Sequence, residues 1–287
     1  MQIYTKNDVK NRIKTSICDK IVHSYPMGNA AIHDLPDLLI SRGRYSASLE
    51  EIQDLTGLSY AAVTSGLQRL RKQRRVFSPT RGLYVVVPPE YRSWGVVPAE
   101  WFIDDLMRHL GHCYYVALLS AATYHGASHQ APQVFQAMSD ARVLDRAIGR
   151  VRVSFYTSRH TLDTPTEMVS VHTGSIPVSS REATVADLIR EPRASGGISN
   201  IATILAEIGQ LDGSALATLT ARHGRALARR TGWLVERYGA CRDLGPLRLA
   251  ARLDRGEPDL LVASGPRRGR ADPAWRVRLN ATVEPDL

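Results

Sequence analysis

Apolar residues along this chain change their period several times, and each change outlines an element. From Thr5 to Tyr25, Val9, Ile13, Ile17 and Ile21 fall four apart, with Lys10, Lys14 and Lys20 off the stripe. That pattern predicts a helix, broken by Pro26, Gly28 and Asn29. A second helix is expected over Ile32 to Arg42, burying Leu35, Leu38 and Leu39 and ended by Gly43. Ser48 with Glu51 has the spacing of a capping box, opening a short helix through Leu55 whose Leu49, Ile52 and Leu55 face inward. Gly57 supplies a sharp turn and Leu58 packs it. Ser59 is placed to cap the next helix, Tyr60 to Gln73, with Val63, Leu67 and Leu70 on one buried stripe. The period then drops to two. Val76-Phe77, the turn Ser78 to Gly82 and the run Leu83 to Val87 predict a hairpin, closed by Pro88-Pro89.

Beyond a linker through Trp94 and Pro98, Trp101 to Leu110 and Tyr114 to His125 are expected to be helices. Val151 to Tyr156 and Met168 to Thr173 alternate like strands. A short helix is expected at Thr184 to Ile189 and further helices near Asn200 to Ile208, Ser214 to His223 and Ala226 to Tyr238, with a tail strand around Trp275, Val277 and Leu279. The expected fold class is therefore α+β: an N-terminal winged helix-turn-helix domain over 1–93, which includes an N-terminal helix, and a larger mixed α/β domain over 94–287.

Charge gives the first domain a chemistry. From Leu55 to Pro89 there is no acidic residue, while Arg69, Arg71, Lys72, Arg74, Arg75 and Arg81 all fall inside. A single-signed cationic surface on a groove-sized helix suits a duplex, because each neutralised phosphate releases condensed counterions. Opposite the buried stripe lie Tyr60, Ala61, Thr64, Ser65 and Gln68, with Ser59 at the helix start; glutamine suits adenine, hydroxyls suit base or phosphate, and alanine suits the thymine methyl. Arg69, Arg71 and Lys72 lie where a helix leaving the groove meets backbone phosphates. Arg74 and Arg75 precede the wing, and Arg81 stands at its tip. The alternative is a winged helix used only for protein contacts.

A second basic concentration includes Arg222, Arg225, Arg229 and Arg230, joined in the tail by Arg267, Arg268 and Arg270. Three readings of it stand side by side: an extended DNA footprint, a docking face for an acidic protein, or a solvated helical surface.

Composition excludes more than it selects. The chain has 287 residues, 44% of them hydrophobic, and a formal charge of +9, enough for sizeable cores and suggestive of an acidic partner. Cys18, Cys113 and Cys241 are odd in number and far apart, which gives no disulfide framework or metal knuckle and favours a reduced, cytoplasmic setting. No apolar leader is visible, and the longest apolar stretch, Tyr114 to Ala122, is far short of the ~20 residues of a membrane helix. His109 with His112 and His125 with His129 lack companion ligands, so no metal is expected. Gly174-Ser175 has the look of a nucleotidyltransferase site's start, but no paired carboxylates follow it to hold cations. Neither a P-loop nor a nucleophile elbow is present. No cofactor and no catalytic residue are expected.

The order of motifs in the second half carries a family resemblance. Tyr115-Val116-Ala117-Leu118-Leu119-Ser120-Ala121-Ala122-Thr123-Tyr124-His125-Gly126 is followed by Pro132-Gln133-Val134 and then by Val153-Ser154-Phe155. The segment Ser180-Arg181-Glu182-Ala183-Thr184-Val185-Ala186-Asp187-Leu188-Ile189 comes next, with Gly196-Gly197 after it. In this arrangement, behind a winged helix, the chain resembles the AbiEi-type antitoxins. The resemblance implies a protein that is not itself an enzyme. Its winged helix would bind promoter inverted repeats and repress its own operon, and its C-terminal domain would neutralise a cognate nucleotidyltransferase-type toxin. One departure stands out: many members have glycine before the wing, where this chain has Arg74-Arg75. With one winged helix per chain, a palindromic operator would take two copies, dimerising on DNA. A plain winged-helix regulator, whose second domain senses a ligand or mediates assembly, is the alternative.

Overall fold

In a computed structural model of the chain, residues 30–127, 132–252 and 256–286 are described; the helix expected over Thr5 to Tyr25 and His129 lie outside them. The protein is mixed α and β and forms two compact units, meeting at Gly111 and His112.

The first unit opens with a 3-10 turn at Ile32–Asp34 and helix α1 (Leu35–Ser41). Strand β1 (Ser46–Ser48) leads into α2 (Leu49–Thr56), where the capping box forms as expected. The Ser48 hydroxyl accepts the Glu51 amide at 3.1 Å, and the Glu51 carboxylate accepts the Ser48 amide at 2.7 Å. Gly57 ends α2 with φ 66°, a left-handed conformation that glycine adopts without a Cβ clash. Ser59 caps α3 (Tyr60–Lys72) through the Ala62 amide at 3.4 Å. Val63, Leu67 and Leu70 of α3 are buried against Leu35, Leu39, Ile52 and Leu55. Gly66 lies on the same underside, where a Cβ would come within 2.4 Å of the Ile32 side chain, so only glycine permits this approach. Strands β2 (Val76–Thr80) and β3 (Leu83–Val86) form an antiparallel hairpin, and β1 pairs with β3 to complete a three-stranded sheet.

This unit continues past the proline pair, beyond the linker expected after residue 93. Trp101 packs edge-on against Tyr45 and Tyr91, and Phe102 against Phe77. Helix α4 (Ile103–Leu110) sends Asp105 to the Ser46 hydroxyl and His109 to the Arg81 carbonyl. Buried aromatic contacts therefore hold the segment up to Gly111 on the first sheet, although Trp94 and Pro98 have linker composition.

The second unit is built on a six-stranded mixed sheet. Its strands are β4 (Tyr114–Val116), β5 (Phe135–Ser139), β6 (Arg146–Ile148), β7 (Val151–Thr157), β8 (Thr166–Val171) and β9 (Gly174–Ser179), in the spatial order β6-β7-β5-β4-β9-β8. The helix expected over Tyr114 to His125 is instead strand β4 followed by helix α5 (Leu118–Tyr124). β4 lies inside the sheet, paired with β5 on one side and β9 on the other. A strand covered on both faces has no polar alternation, so its sequence resembles a buried helix.

Helices α6 (Arg181–Arg190), α7 (Gly197–Glu207), α8 (Gly213–Ala221), α9 (Arg225–Tyr238) and α10 (Gly245–Ala251) supply the rest of the larger core. The tail does form a strand, β10 (Val277–Leu279), and Trp275 just before it is fully buried against Gly232 of α9.

Candidate nucleic-acid interface

Helix α3 has two chemically distinct faces. Its underside belongs to the core. On the other side Tyr60, Ala61, Ser65, Gln68, Arg69, Arg71 and Lys72 are exposed, Tyr60 at 59%. Gln68, Arg71 and Lys72 together line a shallow surface depression. The cations sit in the last turn, where positive charge is favoured by the carbonyl end of the helix dipole, and the first turn carries no acidic residue. Ser59 is exposed, with its hydroxyl engaged as the cap. Thr64 departs from the expected outward position: the residue is half-buried and its hydroxyl is buried without a hydrogen-bond partner among the described residues. One rotation step along α3 therefore divides Thr64 from Ser65 and Gln68.

Arg74 and Arg75 are turned back onto the protein. Arg74 has φ 55°, the left-handed conformation that favours glycine, and its guanidinium donates to the Ser93 carbonyl at 2.9 Å. Arginine therefore occupies, just before the hairpin, a backbone conformation that glycine adopts more readily. Arg75 donates to the His33 carbonyl and to Asp37, each at 2.8 Å, and its side chain is only 18% exposed. These two side chains brace the exit of α3 and are not free cations. Arg81 is exposed in the turn between β2 and β3.

The second basic concentration does not form one surface. Arg229 is fully buried, contrary to the expected surface role. Its Nε donates to the Ala251 carbonyl at 2.9 Å, and Nη2 to that of Arg252 at 2.7 Å. Its Nη1 reaches the Glu257 carbonyl and the Asp259 carboxylate, both at 3.0 Å. Arg230 is half-buried and donates to the Leu260 carbonyl at 2.7 Å. Together the two side chains tie α9 to the end of α10 and to the polypeptide that follows it. Arg222 donates to the Asp163 carbonyl, while Arg225, Arg267, Arg268 and Arg270 are exposed.

Among the described residues no group of three or more His, Cys, Asp and Glu side chains is arranged to hold a metal ion. The histidines singled out by spacing have other partners: His109 meets the Arg81 carbonyl, His112 lies 3.3 Å from Asp140, and His125 meets the Ser179 carbonyl. No described helix is long and apolar enough to cross a membrane.

Asp187 is a feature that spacing did not single out. It is buried on α6, accepts the Tyr115 hydroxyl at 2.9 Å and lies 3.2 Å from Arg190. Burial pushes its carboxyl up to about 6, against the pull of Arg190 and the Tyr115 hydrogen bond. Tyr115 is itself raised, by burial first and then by the Asp187 charge.

Comparison with known proteins now bears on the second unit. Residues 115–237, from β4 to the end of α9, match the family model described as the AbiEi antitoxin C-terminal domain. This agrees with the resemblance drawn from the motifs. No curated protein matches the chain. Among solved structures, the fold is similar to that of the RV2827C protein from Mycobacterium tuberculosis. The TM-score is 0.62 at 15% identity, over 88% of this chain and 94% of that one.

Proposed function

We propose that this chain, whose second unit carries an AbiEi antitoxin C-terminal domain, is the DNA-binding autorepressor and antitoxin of a toxin–antitoxin pair. In this reading the first unit is a winged helix-turn-helix: α2, the Gly57 turn and α3 form the reading pair, and the β2–β3 hairpin is the wing. The observation that carries it is the outer face of α3, where Ser65 and Gln68 stand exposed beside Arg69, Arg71 and Lys72 with no acidic residue among them. Ser65 and Gln68 would meet base edges, and the three cations would meet phosphates as the helix leaves the groove. Arg81 at the hairpin tip would reach the backbone or the adjacent minor groove. Arg74 and Arg75 would act indirectly, by holding the helix end against the sheet.

The second unit would neutralise the toxin, a nucleotidyltransferase-type protein encoded beside it. Two copies of the chain would occupy the inverted repeats of the shared promoter.

The test uses the full chain in two assays. Binding to its own upstream DNA is measured against random duplex of equal length, and growth is measured with the adjacent gene expressed. Tighter binding to the promoter together with rescue of growth is the expected pair of results. Equal affinity for random DNA refutes the operator reading, and unrelieved toxicity refutes the antitoxin reading.

A further inference from the structure

One recess of the second unit gathers more positive than negative side chains. It is lined by Arg190 at the end of α6, Arg222 and His223 directly after α8, and His160 in the turn after β7, with Tyr115 and Asp187 as its buried wall. Four separate stretches of sequence thus converge on one small hollow.

The carboxylates present are already engaged. Asp187 pairs with Arg190 and accepts from Tyr115, and Glu191 lies 3.5 Å from Arg190 on the Nε edge. Arg222 makes its hydrogen bond to a backbone carbonyl, that of Asp163, at 2.8 Å. Arg159 donates from Nε to His160 Nε2 at 3.1 Å. Neither Arg159 nor Arg222 forms an ion pair among the described residues. Arg190 Nη1 lies 3.3 Å from His223 Nε2, and the two imidazoles meet edge to face at 5.2 Å.

A guanidinium only donates, so each histidine accepts through Nε2 and is held neutral with its hydrogen on Nδ1. Their acidities agree with this geometry. Burial, followed by Arg190, His160, Arg159 and Arg222, pushes His223 down to about 4. Burial, then Arg159 and Arg222, also lowers His160, which the Asp163 carboxylate opposes. Burial first, and then the cations around them, keeps the two imidazoles uncharged, and an arriving anion would offset the second of these.

We propose that this recess is a binding site for a phosphate-class oxyanion, gripped by Arg190 and Arg222 with His160 and His223 alongside. A tetrahedral dianion accepts from several donors at once and matches the planar fork of a guanidinium. Binding favours the protonated imidazoles, so each histidine titrates higher in the bound state than in the free one.

The test follows the imidazole NMR signals of the full chain at constant ionic strength. Inorganic phosphate is added in one arm and a nucleoside 5′-monophosphate in the other. The expected result is saturable movement of the His160 and His223 signals at millimolar concentration or below, with the His223 midpoint rising. Saturation by phosphate alone assigns a free anion, and tighter saturation by the nucleotide assigns an esterified one. Arg222→Gln should weaken binding about tenfold by removing a charge-assisted hydrogen bond. Arg159→Gln, at an exposed residue beside His160, should weaken it less and decides the matter if the first variant does not fold. Drift that chloride reproduces equally, or unchanged affinity in the folded variants, overturns the proposal.

Discussion

Replacing Arg71 and Lys72 together with alanine separates phosphate contact from mere surface charge. Both side chains are exposed in the last turn of α3, beside a shallow depression they share with Gln68, so their loss leaves the core of the first unit intact. Each phosphate neutralised contributes about 0.9 to the slope of log affinity against log salt. Removing two contacts lowers that slope by about 1.8. At roughly 0.15 M salt this amounts to about 1.5 decades of affinity, or about 2 kcal/mol. Arg75→Ala supplies the contrast. Its guanidinium is committed to His33 and Asp37, so its removal should cost about 1 kcal/mol of folding stability and leave the slope in place. Fluorescence anisotropy on one mixed-sequence duplex, repeated across a salt series, measures all three proteins. An unchanged slope in the double variant, or an equal fall in Arg75→Ala, refutes the assignment of phosphate contacts to the end of α3.

Two further outcomes concern the second unit. Arg229→Ala strips the partner from three backbone carbonyls and the Asp259 carboxylate, and should cost about 3–5 kcal/mol in urea unfolding while leaving the salt slope of duplex binding unchanged. A loss of affinity without a loss of stability would return Arg229 to a binding role. Asp187 has a folded acidity raised from 3.8 to about 6, so the native state holds more protons than the unfolded chain between those values. The contribution of this group to stability is therefore present below about pH 4 and lost as pH rises toward 6, a change of roughly 3 kcal/mol. Asp187→Asn should flatten that part of the stability profile, and an identical profile in the variant would contradict the buried carboxyl's role.

The parts of the first unit that were legible in sequence are those decided by neighbours in the chain. A capping box needs Ser48 and Glu51 three apart, and the buried face of α3 needs Val63, Leu67 and Leu70 at helical spacing. Such patterns are set by bond geometry within one or two turns. The same locality explains the errors. Tyr114 to Val116 has the apolar continuity of a buried helix, and only its pairing between β5 and β9 makes it a strand. Trp94 and Pro98 look like a linker until Trp101 and Phe102 are seen against Tyr45, Tyr91 and Phe77.

By itself, then, the sequence determined the local grammar of this protein: where helices start, which face of α3 is apolar, where positive charge is concentrated, and the motif order shared with AbiEi-type antitoxins. Tertiary structure decided what each charge is for. Among the arginines, Arg71 faces solvent, Arg75 braces the end of α3, Arg229 satisfies buried carbonyls, and Arg190 and Arg222 meet two histidines across a recess. The physical reason is that a guanidinium's role depends on its desolvation and on the acceptors within reach, and both come from residues distant along the chain.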